Sequence, residues 1–100
     1  MLHTVNKSSS EKSTLVSCLR LAADDADILL IEDAVYAAMT GTQTESIIQS
    51  ALATYQIYVL EPDLECRGLD KSRLISGVKA VGYDGFVELS VKNSAVHSWL

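Results

Sequence analysis

The chain has 100 residues, 48% of them hydrophobic and 21% charged, and carries a formal net charge of −5. This length accommodates one hydrophobic core, so we expect a single domain over residues 1–100. The acidic balance argues against the clustered Lys and Arg side chains that bind nucleic acid directly. No apolar run approaches the about 18 residues needed to cross a bilayer, and no export signal is visible, so we expect a cytoplasmic protein without membrane association.

The first predicted elements are a short strand and a helix. Residues 2–5 favour the strand, and Ser8 and Glu11 have the spacing of a capping box, in which a hydroxyl and a carboxylate satisfy free N–H groups at a helix start. One apolar helical face follows, formed by Leu15, Cys18, Leu19 and Ala22. Asp24 and Asp25 oppose the helix dipole, so we expect the helix to end near them.

An apolar run bounded by charges, residues 27–32, predicts a strand that is buried on both faces of a parallel sheet. Asp33 is placed to cap a following helix over residues 34–39. Gly41 is then suited to end that helix in a left-handed conformation.

The middle of the chain repeats this pattern. Thr42 and Glu45 again have capping-box spacing. They precede a helical face formed by Ile47, Ile48, Ala51 and Leu52. Residues 57–60 are β-prone, and Pro62 suits the first turn of a short helix that stops at Gly68.

The last third adds a strand at residues 78–81, a helix capped by Asp84, and a short strand within residues 95–100. The helix carries the apolar residues Phe86, Val87, Leu89 and Val91. Strands that alternate with helices imply right-handed βαβ crossovers. The predicted fold is therefore α/β: a three-layer, mainly parallel open sheet of four to five strands with helices on both faces.

Acidic residues follow several predicted strands, at the sheet edge where open parallel sheets place their sites. They are Glu32, Asp33, Glu61, Asp63 and Asp84. Such a rim is able to hold Mg²⁺ or accept a phosphoryl group, which makes a receiver-like or metal-binding switch a remote alternative. The first strand, however, is followed by Asn6 and Lys7 instead of acids, and Asp33 and Asp84 are explained as helix caps. We therefore predict no metal site.

Three consecutive serines, Ser8 to Ser10, precede the first predicted helix and offer backbone N–H groups to a phosphate. They lack the glycines that let a backbone approach a phosphate closely. Capping explains them better than a flavin or nucleotide pocket does, and we predict no cofactor.

The two cysteines, Cys18 and Cys66, have neither metal-knuckle nor CxxC spacing, and we expect free thiols. Cys18 lies on an apolar helix face, where burial raises a thiol pKa, so core packing is the favoured interpretation. Cys66 is expected to be more exposed, but Glu61, Asp63 and Glu65 disfavour its thiolate. Both remain weak candidates for a sulfur-carrying nucleophile.

The histidines and the last two residues are the other notable side chains. His3 and His97 have no ligand-spaced partner, and we interpret both as structural or interface hydrogen-bonding groups. Trp99 and Leu100 form an apolar pair that either folds back on the core or docks into another subunit; we favour docking because terminal residues fray unless something holds them.

Four segments of the chain resemble the DsrH/TusB family. They are residues 1–8 (MLHTVNKS), 30–38 (LIEDAVYAA), 58–68 (YVLEPDLECRG) and 81–89 (VGYDGFVEL), and the match continues to Trp99. Each motif is weak alone, but their order and spacing are specific and span essentially the whole chain. The resemblance implies a DsrE-like fold, a parallel sheet between helices.

The resemblance also implies partners. Members of this family are the small subunit of two-of-each heterohexamers with DsrE/DsrF-like or TusC/TusD-like subunits. TusBCD relays persulfide sulfur from TusA toward TusE for 2-thiolation of the tRNA wobble uridine, and DsrEFH exchanges sulfur with TusA-like and DsrC proteins during sulfur oxidation. The principal sulfur-accepting cysteine is implied to belong to the DsrE/TusD subunit, which leaves this chain mainly architectural.

The leading hypothesis is therefore a non-catalytic subunit of a sulfur-relay complex, serving either pathway. Our candidate partner-binding residues are His3, Glu32, Asp33, Tyr36, Trp99 and Leu100. Cys18 resembles a cysteine of DsrH-type members, which keeps open the alternative of a sulfurtransferase in its own right through Cys18 or, less favoured, Cys66. The sequence alone does not choose between tRNA thiolation and sulfur oxidation.

Overall fold

The computed structural model of the chain describes residues 1–6, 12–93 and 95–99. The predictions made for Lys7, for the capping box at Ser8 and Glu11, and for Leu100 lie outside these residues. None of the described helices is long and apolar enough to cross a membrane.

The strands form one parallel sheet of five. They are β1 (Leu2–Val5), β2 (Asp27–Leu30), β3 (Gln56–Leu60), β4 (Lys79–Val81) and β5 (Val96–Trp99). Their order is β4-β3-β2-β1-β5, and every neighbouring pair is parallel. The predicted α/β architecture is confirmed. The chain adds β2, β3 and β4 on one side of β1 and then crosses back to place β5 on the other side.

The described helices are α1 (Lys12–Leu21), α2 (Glu45–Ala51), α3 (Glu61–Cys66) and α4 (Tyr83–Lys92). Two 3-10 segments, Glu32–Ala38 and Lys71–Arg73, lie in the connections. Pro62 occupies the first turn of α3, as predicted. Gly41 (φ +80°) has the left-handed conformation that the sequence predicted for it. Gly68 (φ +65°), predicted only as the point where a short helix stops, has the same conformation and lies two residues after the end of α3.

The hydrophobic residues divide into two clusters, one on each face of the sheet, because successive strand residues point to opposite faces. The larger cluster joins the sheet to α1, α2 and α3; among its members are Val5, Leu15, Cys18, Ile28, Leu30, Ile48, Ile57, Val59 and Leu64. The smaller cluster packs Leu89 and Phe86 of α4 against Leu2 and Leu29. Helices therefore cover both faces, with α4 on the opposite side from the others.

Asp27 attaches the end of α4 to the start of β2. Its carboxylate accepts a hydrogen bond from the Asn93 side chain at 3.0 Å and lies 3.3 Å from the Lys92 ammonium. Only 2% of Asp27 is exposed, so these contacts offset the cost of burying its charge. From the sequence, Asp27 was predicted only as a charged boundary of the β2 run, and this anchor was not predicted.

The helix expected over residues 34–39 is a 3-10 segment instead, and Asp33 does not cap it. Ile31 occupies the capping position without a side-chain hydrogen bond, and Asp33 lies inside the first turn, where its carboxylate binds Arg67. The end of the segment and the residues after it bond to residues far along the chain: the Ile75 amide donates to the Ala38 carbonyl, and the Thr40 amide donates to the Arg73 carbonyl. These tertiary hydrogen bonds override the local capping signal.

Two further capping predictions need correction. Asp84 lies in the first turn of α4, and Gly82 takes the capping position. Thr44 precedes α2, whereas the Thr42 hydroxyl donates to the Met39 carbonyl at 2.8 Å. Glu45 does reach back as a capping box requires, but its carboxylate accepts from the Gly41 amide at 3.0 Å.

Candidate functional site

The carboxyl ends of β2 and β3 bring together the acidic residues that the sequence placed at this edge. The Asp63 carboxylate accepts a hydrogen bond from the Glu32 amide at 2.7 Å. Glu32 has a left-handed backbone, φ 51°, which non-glycine residues adopt at a cost. The Asp63 contact thus fixes a strained turn directly after the most buried strand.

Arg67 connects this turn to α3. Its guanidinium lies 2.9 Å and 3.0 Å from one oxygen of Asp33 and donates to the Asp63 carbonyl at 3.1 Å. A second basic residue, Lys71, lies 3.2 Å from Glu61. Because these acids already have cationic partners, they lack the convergent free oxygens that Mg²⁺ requires. Among the described residues no group of three or more His, Cys, Asp or Glu side chains is arranged to hold a metal ion.

A recess of about 430 Å³ lies beside this cluster. It is lined by Tyr36, Met39, residues 40–42, residues 68–70 and Arg73. The Tyr36 side chain is 37% exposed, and the Arg73 guanidinium lies 3.5 Å from the Thr40 carbonyl. Of the predicted partner-binding residues, Glu32, Asp33 and Tyr36 therefore share one surface at the end of β2.

Cys18 is fully buried in the larger core cluster. Burial raises the pKa of its thiol to about 12, so the thiolate is scarce at neutral pH. This position agrees with the favoured interpretation, core packing, and gives Cys18 no access to a protein partner in this conformation.

Cys66 is exposed at the end of α3, next to Arg67. The Arg67 guanidinium is engaged with Asp33 and Asp63, which reduces the positive charge available to a Cys66 thiolate. Accessibility is therefore the one property of a sulfur carrier that Cys66 has.

His3, His97 and Trp99 form a second cluster where β1 pairs with β5. The Trp99 indole N–H donates to His3 Nδ1 at 3.1 Å, and the His97 and Trp99 rings stack at 4.6 Å between centroids. His3 is buried and its ring centroid lies 5.7 Å from that of His97. Trp99 packs partly on the core of its own chain, the alternative that the sequence favoured less; docking of its exposed part stays a prediction.

A third feature was not singled out from the sequence: exposed apolar side chains on the α4 side of the sheet. Tyr83 is 63% exposed, Val87 61%, Val91 80% and Val96 48%. Val96 pairs with Leu2, which belongs to the α4 cluster, so Val96 lies on the same face as α4. We call these four residues the α4–β5 surface. The apolar pattern that predicted α4 included Val87 and Val91. It did not indicate which of the apolar residues on the helix would stay exposed.

The fold and these clusters define a class: a small α/β protein with a five-stranded parallel sheet, in which the strand-end acids Asp33, Glu61 and Asp63 are paired with neighbouring basic or amide groups. A sequence model of the family described as "DsrH like protein" matches residues 7–96. The chain belongs to the DsrH family, and the resemblance found in its sequence is confirmed.

Curated relatives match over nearly the full chain. Protein TusB of Erwinia tasmaniensis is 36% identical over 100 residues, which cover 99% of this chain and 100% of the relative. Protein TusB of Serratia proteamaculans is 34% identical over 99 residues with the same coverage.

Solved structures show the same fold at low sequence identity. The ychN protein of E. coli matches with a TM-score of 0.81 and 19% identity, covering 97% of both chains. A protein of unknown function from Methanobacterium thermoautotrophicum matches with a TM-score of 0.78 and 16% identity, covering 97% of this chain and 95% of that chain.

Proposed function

We propose that this chain is a cytoplasmic sulfur-relay subunit that works by assembling with partner subunits and not through a nucleophile of its own. The observation that carries the proposal is membership of the DsrH family over residues 7–96, together with full-length relatives named TusB. The proposed partners are homologous DsrE/DsrF-like or TusC/TusD-like subunits in a two-of-each heterohexamer, with TusA-like and DsrC/TusE-like carriers reached through that complex.

The state of the thiols supports a mainly architectural role. A persulfide carrier needs an accessible thiolate. Cys18 is enclosed with a raised pKa, and Cys66 is accessible but lies beside an arginine that is already paired. The principal sulfur-accepting cysteine is therefore proposed to lie in a partner.

The surfaces of the chain supply contacts for such partners. The α4–β5 surface leaves apolar side chains in water, which is typical of a subunit interface when the side chains are grouped. Glu32, Asp33 and Tyr36 offer a polar contact at the end of β2, and Trp99 offers a half-buried aromatic ring, a residue type enriched in interfaces.

Native mass spectrometry of the chain co-expressed with its neighbouring gene products tests this proposal. The expected species is a hexamer with two copies of each of three subunits. A chain that stays monomeric in the presence of DsrE/DsrF-like and TusC/TusD-like partners would overturn the assembly role.

The relatives named TusB favour tRNA wobble-uridine thiolation over sulfur oxidation as the pathway served. Deletion of the gene is expected to remove 2-thiouridine from tRNA. The Cys18→Ala, Cys66→Ala double variant, which has neither thiol, is expected to restore 2-thiouridine. If tRNA thiolation survives the deletion, the proposed pathway becomes sulfur oxidation instead of tRNA thiolation.

The exposure of Cys66 favours one alternative function, a sulfurtransferase that acts on its own. Cys18 is the other candidate nucleophile for that function. Mass spectrometry of the chain after incubation with a persulfide donor distinguishes the two. A gain of one sulfur atom that disappears in Cys66→Ser or in Cys18→Ser supports catalysis by that residue. The architectural proposal expects no stable gain on either residue in the assembled complex.

A further inference from the structure

The contact between β1 and β5 fixes the protonation state of a buried histidine. The indole N–H of Trp99 is a donor only, so the ring nitrogen of His3 that faces it at 3.1 Å accepts with its lone pair. His3 is therefore neutral in this conformation, with its proton on Nε2. Protonation of Nδ1 would place two N–H donors against each other and remove the hydrogen bond.

This bond is the main side-chain anchor of β5. Residues 95–98 are exposed, and Trp99 is the residue of β5 that packs partly on the core. The strand is otherwise held by its backbone ladder to β1 and by a Thr4 hydroxyl that donates to Ser98 at 3.2 Å. A four-residue edge strand with exposed side chains has little stability without such an anchor.

We propose that His3 and Trp99 form a pH-sensitive latch: neutral His3 holds β5 on the sheet, and protonation of His3 releases β5 and opens the edge of β1. The proposal rests on this geometry and is independent of the proposed function.

The groups around His3 set the pH range of the latch. Its pKa is lowered from the ordinary 6.5 by burial first, then by the positive charge of His97 and that of the Met1 amine. Among the described side chains of α1, Cys18 lies in the adjoining core, and its raised pKa keeps it neutral. On β2, the residue paired with His3 is the apolar Ile28. The Asp27 carboxylate points to the other face, toward α4.

The sign of the pH effect follows from the lowered pKa. Between the lowered folded-state pKa of His3 and its unfolded value of 6.5, His3 is protonated in the unfolded chain and neutral in the folded chain. The free energy of unfolding therefore rises with pH in that interval. The latch is therefore closed above pH 6.5 and is lost as the pH falls through the lower folded-state pKa. The positive charge of His97, whose ring centroid lies 5.7 Å away, lowers the pKa of His3 and so adds repulsion to the lost hydrogen bond.

Nitrogen-15 NMR of the full chain tests the closed state without any mutation. At neutral pH the expected pattern for His3 is an unprotonated Nδ1 that accepts from the Trp99 indole and a protonated Nε2. A proton on Nδ1 at neutral pH would overturn the latch directly, because no hydrogen bond from the indole is then available.

A pH titration tests the release. Trp99 is the single tryptophan, so its fluorescence, together with amide exchange of Val96–Trp99, reports on β5 during a titration from about pH 8 to about pH 5. We expect one opening transition with a midpoint below pH 6.5. The His3→Asn variant keeps an acceptor oxygen that does not titrate, and it is expected to stay closed through the transition.

His97→Asn is the matched control, since it removes the neighbouring charge but leaves the latch itself in place. Its transition is expected to remain and to move upward in pH, toward 6.5. A wild-type chain without a transition, or a His3→Asn chain that opens at the wild-type midpoint, would reject the latch.

Discussion

At the scale of single residues, Glu32 is the position whose backbone conformation fits its residue type least. It takes a left-handed conformation, φ 51°, although it has no glycine-like freedom. Its amide is held by Asp63 at 2.7 Å, a backbone contact that any residue at position 32 would keep. The strained turn therefore depends on α3 and not on the Glu32 side chain.

Glu32→Gly is expected to raise the free energy of unfolding by about 1 kcal/mol, because glycine avoids most of the roughly 1–2 kcal/mol left-handed penalty while losing more chain entropy. Urea denaturation measures the change. Asp25→Gly at φ 69° is the control, with a smaller gain because aspartate tolerates this conformation better. A loss of stability in Glu32→Gly would show that the Glu32 side chain has a stabilising role.

The two thiols are expected to differ sharply in reactivity. An aromatic disulfide reagent should modify Cys66 rapidly in the native chain and Cys18 only on unfolding, since Cys18 is fully buried. Because the pKa of the Cys18 thiol is raised to about 12, an increase from about pH 7 to about pH 9 should not make Cys18 react rapidly in the native chain. Cys66→Ser serves as the control; rapid labelling in that variant would contradict the enclosed position of Cys18.

At the scale of elements, the sequence predicted those whose signal is local. The apolar run of β2 and the proline of α3 both led to the right structure. The helix expected after Asp33 became a 3-10 segment because distant residues bind it: Arg67 pairs with Asp33, and the Ile75 amide donates to the Ala38 carbonyl. The bond between His3 and Trp99 joins residues 96 positions apart, and no spacing rule reaches that far. Pairings between residues far apart in the sequence were therefore not predicted.

Helix α4 approaches β4 so closely that Gly85 has no room for a side chain. A Cβ there would lie 2.7 Å from Val81 Cβ. Gly85→Ala is expected to destabilise the chain by about 1 kcal/mol, since overpacking of about 1–3 kcal/mol exceeds the about 1 kcal/mol gained in helix propensity. Thermal unfolding should show a Tm lower by about 5 °C.

Gly82→Ala provides the control for that experiment. A Cβ at Gly82 has no atom within 4 Å, and the backbone there has a negative φ. We expect a loss of roughly 0.5 kcal/mol, smaller than that of Gly85→Ala, because alanine is a poorer capping residue than glycine but meets no steric clash here. Equal losses in the two variants would mean that the α4 start tolerates no alanine, and that the Val81 contact is not the cause.

At the scale of the whole molecule, the α4–β5 surface connects the fold to the proposed assembly. Val91→Lys introduces a charge at an 80% exposed position and should change the unfolding free energy by less than about 0.5 kcal/mol. If this surface binds a partner, the same variant should lower the hexamer fraction in native mass spectra. Burying an unpaired lysine in an interface is costly.

Ser17→Lys, an exposed position on α1 at the opposite face, adds the same charge and is the control. It should leave the hexamer fraction unchanged. If Val91→Lys and Ser17→Lys assemble equally well, the α4–β5 surface faces solvent in the complex, and the polar group at the end of β2 becomes the next surface to vary.

The strand order also bears on how the chain is made. β1 lies between β2 and β5, and its Thr4 bonds to Ser98, a residue 94 positions later. A ribosome therefore produces β1 long before it produces β5, the second neighbour of β1. During that interval the nascent sheet keeps an unpaired edge, which is the kind of surface that recruits foreign strands. Synthesis close to the proposed partner subunits would let one of them cover that edge of β1 early.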